Sequence, residues 1–419
     1  MLSMGDRMAR ALTGDGHPLR RRRGRDGGAV LATAAAPPQS SPDDFALMRG
    51  GPFFELMRTL GLDAPEHPVR TMAARFAFGL AVAGVPLLLL CWLEGSLRAL
   101  VSDQRVISEL FLALPVLLAG EPYVNGRLAS AARRPLLLEM LSPDDVRRFH
   151  ASLVRAARLR DDRWVEGVLV LLAYGMTLGQ LGLGTAVSGF AARGGALTAA
   201  GAWYALVSHP LLWFVLLRWA LRYAIWCAVL LRLSGLELRL TALHADKTGG
   251  LRFLAGRQAS FSVVVFAVGS IVSARTGGGP AALSTEGLLS YAREQVLFAL
   301  MALVILNLPL VSFSRKLLET RQRVGGRLSA LVARHARDFE SKWSGQAAPE
   351  QTPLGHRDMS SQTDITTAYE QARKMRWFPY GSRPTLAVIA SGLLLPLVPR
   401  LLADRQLLDA LLRAIPKIF

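Results

Sequence analysis

Residues 71–92 read TMAARFAFGLAVAGVPLLLLCW, an apolar run whose single charge is Arg75, and this run decides the fold class. Wound as a helix at about 1.5 Å per residue it reaches about 33 Å, enough to cross a hydrocarbon core of roughly 30 Å. Inside a bilayer every backbone N–H and C=O must be paired within the segment, so a helix is the form such a run takes. The Arg75 stem is long enough to carry its charge back to the interface.

Similar runs follow on both sides of polar loops. The next, 106–120, contains Glu109 and Pro115 between Arg105 and Glu121, and its length predicts a segment that tilts into partners or stops short of a crossing. Further spans are expected near 164–187, 201–231, 260–274 and 296–313. The 201–231 run, at about 46 Å of helix, has to overshoot or tilt. Asn307-Leu308-Pro309 places a polar kink signal inside the 296–313 run. Within the C-terminal hydrophobic segment 384–419, the short proline-bounded run Pro384–Pro399 either crosses or forms a re-entrant pair with Leu401–Ile415. The expectation is therefore an all-α, multi-pass transmembrane bundle with about 6–8 membrane segments.

Composition agrees. Over 419 residues, 51% are apolar and the mean hydropathy is positive, while the formal charge of +18 comes from 44 Arg and 5 Lys. A basic soluble protein would suggest nucleic acid; here the arginines flank apolar runs and lack interleaved aromatics, which argues for topology and against nucleic acid. Lys and Arg number ten in residues 1–70, two in 93–105, nine in 121–163, one in 188–200, five in 232–259, none in 276–292 and thirteen in 314–383. That alternation follows the positive-inside rule and predicts a bacterial inner-membrane protein with a cytoplasmic N-terminus. Cys91 and Cys227 both lie in apolar runs and read as core-filling residues, without metal or redox spacing.

Residues 1–47, rich in Arg, Gly, Ala and Pro, read as a disordered tail, and Met48 opens more structured sequence. In the 121–163 loop, Ser142-Pro143-Asp144-Asp145 supplies an N-cap, a first-turn proline and two first-turn acids, so an amphipathic helix starts there. Leu317, Val324, Leu328, Leu331, His335, Phe339 and Trp343 make a second apolar stripe in the Arg-rich 314–383 region. Its plain reading is a helix packed on the protein's own cytoplasmic parts; the other is a surface for a protein partner or anionic lipid.

Candidate chemistry is concentrated in His244-Ala245-Asp246-Lys247-Thr248-Gly249-Gly250. His244 and Asp246 could share a metal or a proton, and Gly249 and Gly250 permit close backbone approach. Against this stands the plain reading, a tight connection in which Asp246 caps and the glycines end a helix. Among the spans, Glu109, Glu166, His209, Arg218, Arg222 and Glu294 are ionisable, and charges at membrane depth point to function. If the fourth span starts at Gly201, Arg218 and Arg222 mark an interface beside Trp219, Tyr223 and Trp226, the favoured reading; if it starts at Pro210 they lie mid-membrane, four apart, and want Glu109 or Glu166 as partners. No catalytic triad, zinc motif or nucleotide fingerprint has convincing spacing, so no cofactor is indicated and an enzyme is disfavoured.

Two stretches, 240–254 (LTALHADKTGGLRFL) and 336–379 from Ala336-Arg-Asp-Phe-Glu-Ser-Lys-Trp343 to Met375-Arg376 and Pro379, resemble a family of uncharacterised bacterial multi-pass inner-membrane proteins with an H-x-D-x-x-G-G-L loop motif. The likeness spans about residues 50–419. Where relatives often carry Pro after the His, this chain has Ala245. The resemblance implies the membrane architecture and no activity. The leading functional expectation is a transporter or channel-like bundle with the 244–250 loop as a functional element. Its alternative is a membrane-anchored interaction or assembly protein acting through 314–383.

Overall fold

The computed structural model describes residues 45–64, 66–182, 189–193, 196–275, 285–344, 357–379, 381–394 and 396. The helices used below are α1 (Pro52–Thr59), α2 (Pro68–Leu93), α3 (Gln104–Leu137), α4 (Pro143–Asp161), α5 (Arg163–Gly182), α6 (Ala199–Gly235), α7 (Arg252–Arg275), α8 (Thr285–Asn307), α9 (Ser314–Trp343), α10 (Arg357–Arg373) and α11 (Ser382–Ile389). Among the described residues the only strands are a two-residue hairpin, Ala192–Arg193 with Ala196–Leu197. The fold is an all-α multi-pass helical bundle. Six helices are long and apolar enough to cross a membrane: α2, α3, α5, α6, α7 and the run of α8 into α9. Their outer faces carry exposed Leu89, Trp92, Leu171, Leu297 and Val304, a surface that water would not tolerate and acyl chains solvate.

Helix α3 corrects the expected second span. It is 34 residues long, about 51 Å, and continues from Val106–Gly120 through Glu121, Pro122 and Asn125 without a loop. The apolar run looks short because three of the inward positions are polar: Glu109, Ala113, Leu117, Glu121 and Asn125 recur every fourth residue and are all buried. Helix α6, at 37 residues or about 55 Å, overshoots a bilayer as its length requires. The chain enters the core at Phe45, Leu47 and Met48, all buried, so the last residues assigned to the tail are in fact packed; residues 1–44 lie outside the described set.

Prolines shape these helices in a repeated way. The segments Leu80–Gly84, Ser108–Ala113, Tyr204–Ser208 and Ala390–Leu394 are wound as wide π turns, and each ends two residues before a proline: Pro86, Pro115, Pro210 and Pro396. A proline ring clashes with the carbonyl four residues back and offers it no N–H. Widening the preceding turn relieves the clash and re-pairs the backbone inside the bundle.

At Pro309 the solution differs. Leu308–Phe313 tightens into a 3₁₀ turn between α8 and α9, and the carbonyl that Pro309 cannot serve, Ile305 O, accepts from the Tyr223 hydroxyl at 2.6 Å. Gln258 Nε2 in turn donates to Tyr223 Oη at 3.3 Å, while its Oε1 accepts from Trp226 Nε1 at 2.9 Å. The kink signal in the sequence is thus a hydrogen-bonded joint between α6, α7 and α8.

Outside the bundle, α4 begins where its cap chemistry puts it: Ser142 Oγ accepts from the Asp145 N–H, and Phe149, Leu153 and Ala156 bury one face against α6. The stripe on α9 is covered in part by α10, with a Lys342–Asp358 ion pair near the join, so it packs on a helix of the same chain. Helix α11 and the π turn after it lie on α7 and α8, where Gln295 Nε2 donates to Gly392 O at 2.8 Å and to Gly269 O at 3.1 Å. Residues 397–419, and with them the question of crossing or folding back, lie outside the described residues.

Candidate functional site

The 244–250 loop closes on itself. Asp246 Oδ1 accepts from the N–H groups of Thr248 (2.8 Å) and Gly250 (3.1 Å), and Oδ2 from that of Arg252 (3.2 Å) at the start of α7. Burial alone would raise its pKa; these backbone donors outweigh that and hold the carboxyl below the ordinary aspartate value. His244 Nδ1 lies 2.9 Å from Asp246 Oδ1 and 3.2 Å from the Asp246 N–H, so it can donate to the carboxylate or accept from the amide but not do both. Lys247, Gly249 and Gly250 all have positive φ, and a Cβ on Gly249 would stand 3.0 Å from Met375 Cε and 3.3 Å from Leu240 Cβ. The Arg376 N–H donates to Lys247 O at 2.7 Å. The loop therefore clamps the start of α7 to the segment after α10, and the His244 side chain is 44% exposed at its rim.

A second group of charges is enclosed. Arg75 from α2, Glu121 from α3, Glu166 from α5 and Arg218 and Arg222 from α6 are each at most 5% exposed. Arg75 Nη1 donates to Glu121 Oε2 at 2.7 Å and Nη2 lies 3.4 Å from Asp63; Nε donates to Leu62 O at 3.0 Å. Arg218 pairs with Glu121 Oε1 and, at 3.4 Å, with Glu166 Oε1. Arg222 stands 3.8 Å from that same Glu166 oxygen and donates to Gly50 O at 2.8 Å. Arg75 thus points inward to carboxylates rather than out along its stem, which the low cost of an internal partner explains. Arg218 and Arg222 likewise do not reach the outside of the protein.

A strap, residues 45–53, lies over this group. Met48 N–H donates to Asn125 Oδ1 (2.9 Å), Phe53 N–H to Glu166 Oε2 (2.8 Å), and Arg160 to Ala46 O, while the Phe53 ring covers the Arg218 guanidinium at 5.1 Å. Gly51, with φ 86°, passes so close to Glu166 Oε1 that no side chain fits there.

No family model, curated protein or solved structure matches the chain. The functional reading therefore rests on this geometry.

The third polar group sits where three of the π turns pack together. Tyr204 Oη donates to Glu109 Oε2 at 3.2 Å, Arg105 Nε lies 3.4 Å and Arg275 Nη2 3.8 Å from Glu109 Oε1, and His209 Nδ1 is 3.0 Å from Thr177 Oγ1. Ser208 Oγ ties two of the π turns together by donating to Ala83 O at 2.9 Å. Glu109 and Glu121 are twelve residues apart on α3, so the two enclosed groups stand roughly 18 Å apart along the same helix pair, α3 and α6.

Of the residues singled out from sequence, Glu166, Arg218 and Arg222 come together. Glu109 joins Tyr204 and Arg105 instead, Glu294 is exposed on α8, and His244, Asp246, Gly249 and Gly250 form a separate loop. Sequence reasoning missed Glu121, Arg75's inward role and Asp63. Glu121 was legible in one respect only: it continues the every-fourth-residue row from Glu109. Among the described residues no three His, Cys, Asp or Glu side chains are grouped as a metal site.

Proposed function

We propose that this chain is a transport protein of a bacterial inner membrane, N-terminus in the cytoplasm, with its solute path between α3 and α6. The observation that carries the reading is the placement of two enclosed polar groups on the same two helices, one built on Glu109, Tyr204 and His209 and the other on Glu121, Arg218 and Arg222. Burying ions costs several kcal/mol each unless they are paired, and hydrophobic side chains of similar volume are often as stable, so six charges kept inside one helix bundle favour a role beyond packing. The π turns at the Glu109 group give α2, α3 and α6 points at which to bend. The alternation of arginines in the loops supports the orientation.

Cysteine accessibility tests this without knowledge of the solute. In a chain lacking Cys91 and Cys227, Ala113→Cys lies one turn from Glu109, and Asn125→Cys one turn from Glu121. On a path, a membrane-impermeant thiol reagent labels the first from outside and the second from the cytoplasmic side of intact and inverted vesicles. If both stay sealed from both sides, the transport reading is lost.

A second reading has its own observation. Arg323, Arg327, Arg334 and Arg337 are exposed along one face of α9, about a third of a turn round from the stripe that α10 covers. That row supports a membrane-anchored assembly protein held by anionic lipid or an acidic partner. Charge reversal of all four that abolishes binding to phosphatidylglycerol vesicles while leaving the cysteine labelling pattern intact assigns the row to this role alone.

A further inference from the structure

We infer that the paired guanidinium groups of Arg218 and Arg222 form a binding site for a small oxyanion of the phosphate type, reached past the Gly50–Gly51 strap. The inference rests on the transport reading only for what happens after binding.

Arg222 is 1% exposed, yet among the described residues its only hydrogen bond runs to the carbonyl of Gly50, and Glu166 Oε1 at 3.8 Å is beyond hydrogen-bond range. Its Nε and Nη1, and Nη2 of Arg218, meet no acceptor among the described residues. Glu166 does not complete Arg222, because its Oε2 is taken by the Phe53 N–H and its Oε1 is nearer to Arg218. Glu121 is likewise committed, one oxygen to Arg75 and the other to Arg218. Counting Asp63, three carboxylates face three guanidiniums, yet none brings an oxygen within hydrogen-bond range of Arg222. A buried cation in that state calls for an anion, and guanidinium N–H groups aimed at one place are suited to phosphate or carboxylate oxygens.

Access comes from the other face of the strap. A cleft of about 670 Å³ is lined by Arg49, Gly50, Gly51, Arg160 and Arg163 together with Glu55 and Asp161. Arg222 and this cleft share a wall, since the carbonyl of Gly50 accepts from Arg222 while the residue itself lines the cleft. Gly50 and Gly51 have φ of 121° and 86°, so the wall is made of two residues free to change conformation without a side chain to move. Three arginines against two carboxylates, with Arg160 paired to Asp161, leave the cleft a net positive charge that favours anions.

The test is made on the full chain in phosphatidylcholine nanodiscs, by thermal unfolding in inorganic phosphate against chloride at equal ionic strength. Phosphate raises the midpoint of the natural protein, because a ligand that binds only the folded state stabilises it. Arg222→Gln removes that rise and weakens phosphate by at least about tenfold, as loss of a charge-assisted hydrogen bond does. Each variant's rise in phosphate is read against its own midpoint in chloride, so a change in basal stability drops out of the comparison. Should Arg222→Gln fail to fold, Arg222→Lys takes its place, keeping the charge while losing donors, with the same tenfold weakening expected. A rise in phosphatidylglycerol nanodiscs without phosphate, lost in the same variant, identifies the oxyanion as a lipid headgroup. No rise in either arm, or an equal rise in the variants, overturns the site. Phosphate binding without uptake into proteoliposomes keeps the site and removes the transport reading; uptake that survives Arg222→Gln does the reverse.

Discussion

The 244–250 loop and the enclosed arginine–carboxylate group are opposites. In the loop, seven consecutive residues bring a histidine, an aspartate, a lysine and two glycines together, and nearly everything they offer is consumed there: three backbone amides fill Asp246, and the glycines supply positive φ. In the group, Asp63, Arg75, Glu121, Glu166, Arg218 and Arg222 come from five separate stretches of chain, none conspicuous by itself, and donors remain to spare. A compact motif tends to satisfy itself locally, because its groups are held near one another in any fold. Groups gathered from distant helices are brought together only by the fold, so their leftover valence has to be met by something outside it.

The contrast can be broken most directly at Glu121. Glu121→Ala leaves Arg75 and Arg218 enclosed and short of their shared carboxylate, and is expected to cost about 3–5 kcal/mol, the range for halving a buried ion pair. Unfolding in mixed micelles measures it; a loss below about 1 kcal/mol would mean that the group is not an integrated unit. In the loop, Asp246→Ala is expected to cost about 1.5–3 kcal/mol through its charge-assisted backbone bonds. The same residue has a pH signature. Its folded pKa lies below the ordinary value of 3.8, so its stabilisation is present above that value and fades as the pH falls through the depressed one; Asp246→Asn flattens this acid limb of stability measured below about pH 4.

A smaller effect is expected at Gly249. Gly249→Ala forces a Cβ into the left-handed region at φ 64° and within 3.0 Å of Met375 Cε, for about 1–2 kcal/mol; Met375→Ala in the same chain recovers part of it if crowding contributes, which a double-mutant cycle reads. Least of all, His244→Ala is expected to stay within about 0.5 kcal/mol, since the ring sits 44% exposed at the rim. That variant sharpens the comparison. Thermal stability unchanged with labelling at Asn125→Cys also unchanged leaves the loop a clamp; labelling lost with stability intact makes it part of the moving machinery.

Much of the architecture was legible. The apolar runs, the Ser142-Pro143 cap and the Asn307-Leu308-Pro309 kink each appear where local chemistry puts them, and Asp246 caps the start of α7 as the loop's plain reading has it, although Gly249 and Gly250 stand before that helix rather than ending one. The errors share one cause. Arg75 was sent outward along its stem and α3 was ended at Gly120 because a charge in an apolar run is judged locally by what it costs, whereas both residues involved, Arg75 and Glu121, are each other's remedy 46 positions apart. The pairing of π turns with prolines shows the same division: Pro115 and Pro309 each announce a disturbed turn while Pro122 and Pro135 sit within regular helix, and neighbouring helices decide whether a turn widens, as before Pro115, or tightens with help from Tyr223, as at Pro309.

Hydropathy, helical period and capping act over a turn or a few turns of chain, so the sequence by itself determined that this is a multi-pass helical protein and where its helices run. Which of its many arginines and carboxylates would be enclosed, which would pair and which would be left with free donors was decided by tertiary structure alone. The physical reason is that desolvation and ion pairing depend on what lies within a few ångströms in space, and no local pattern in the chain records that.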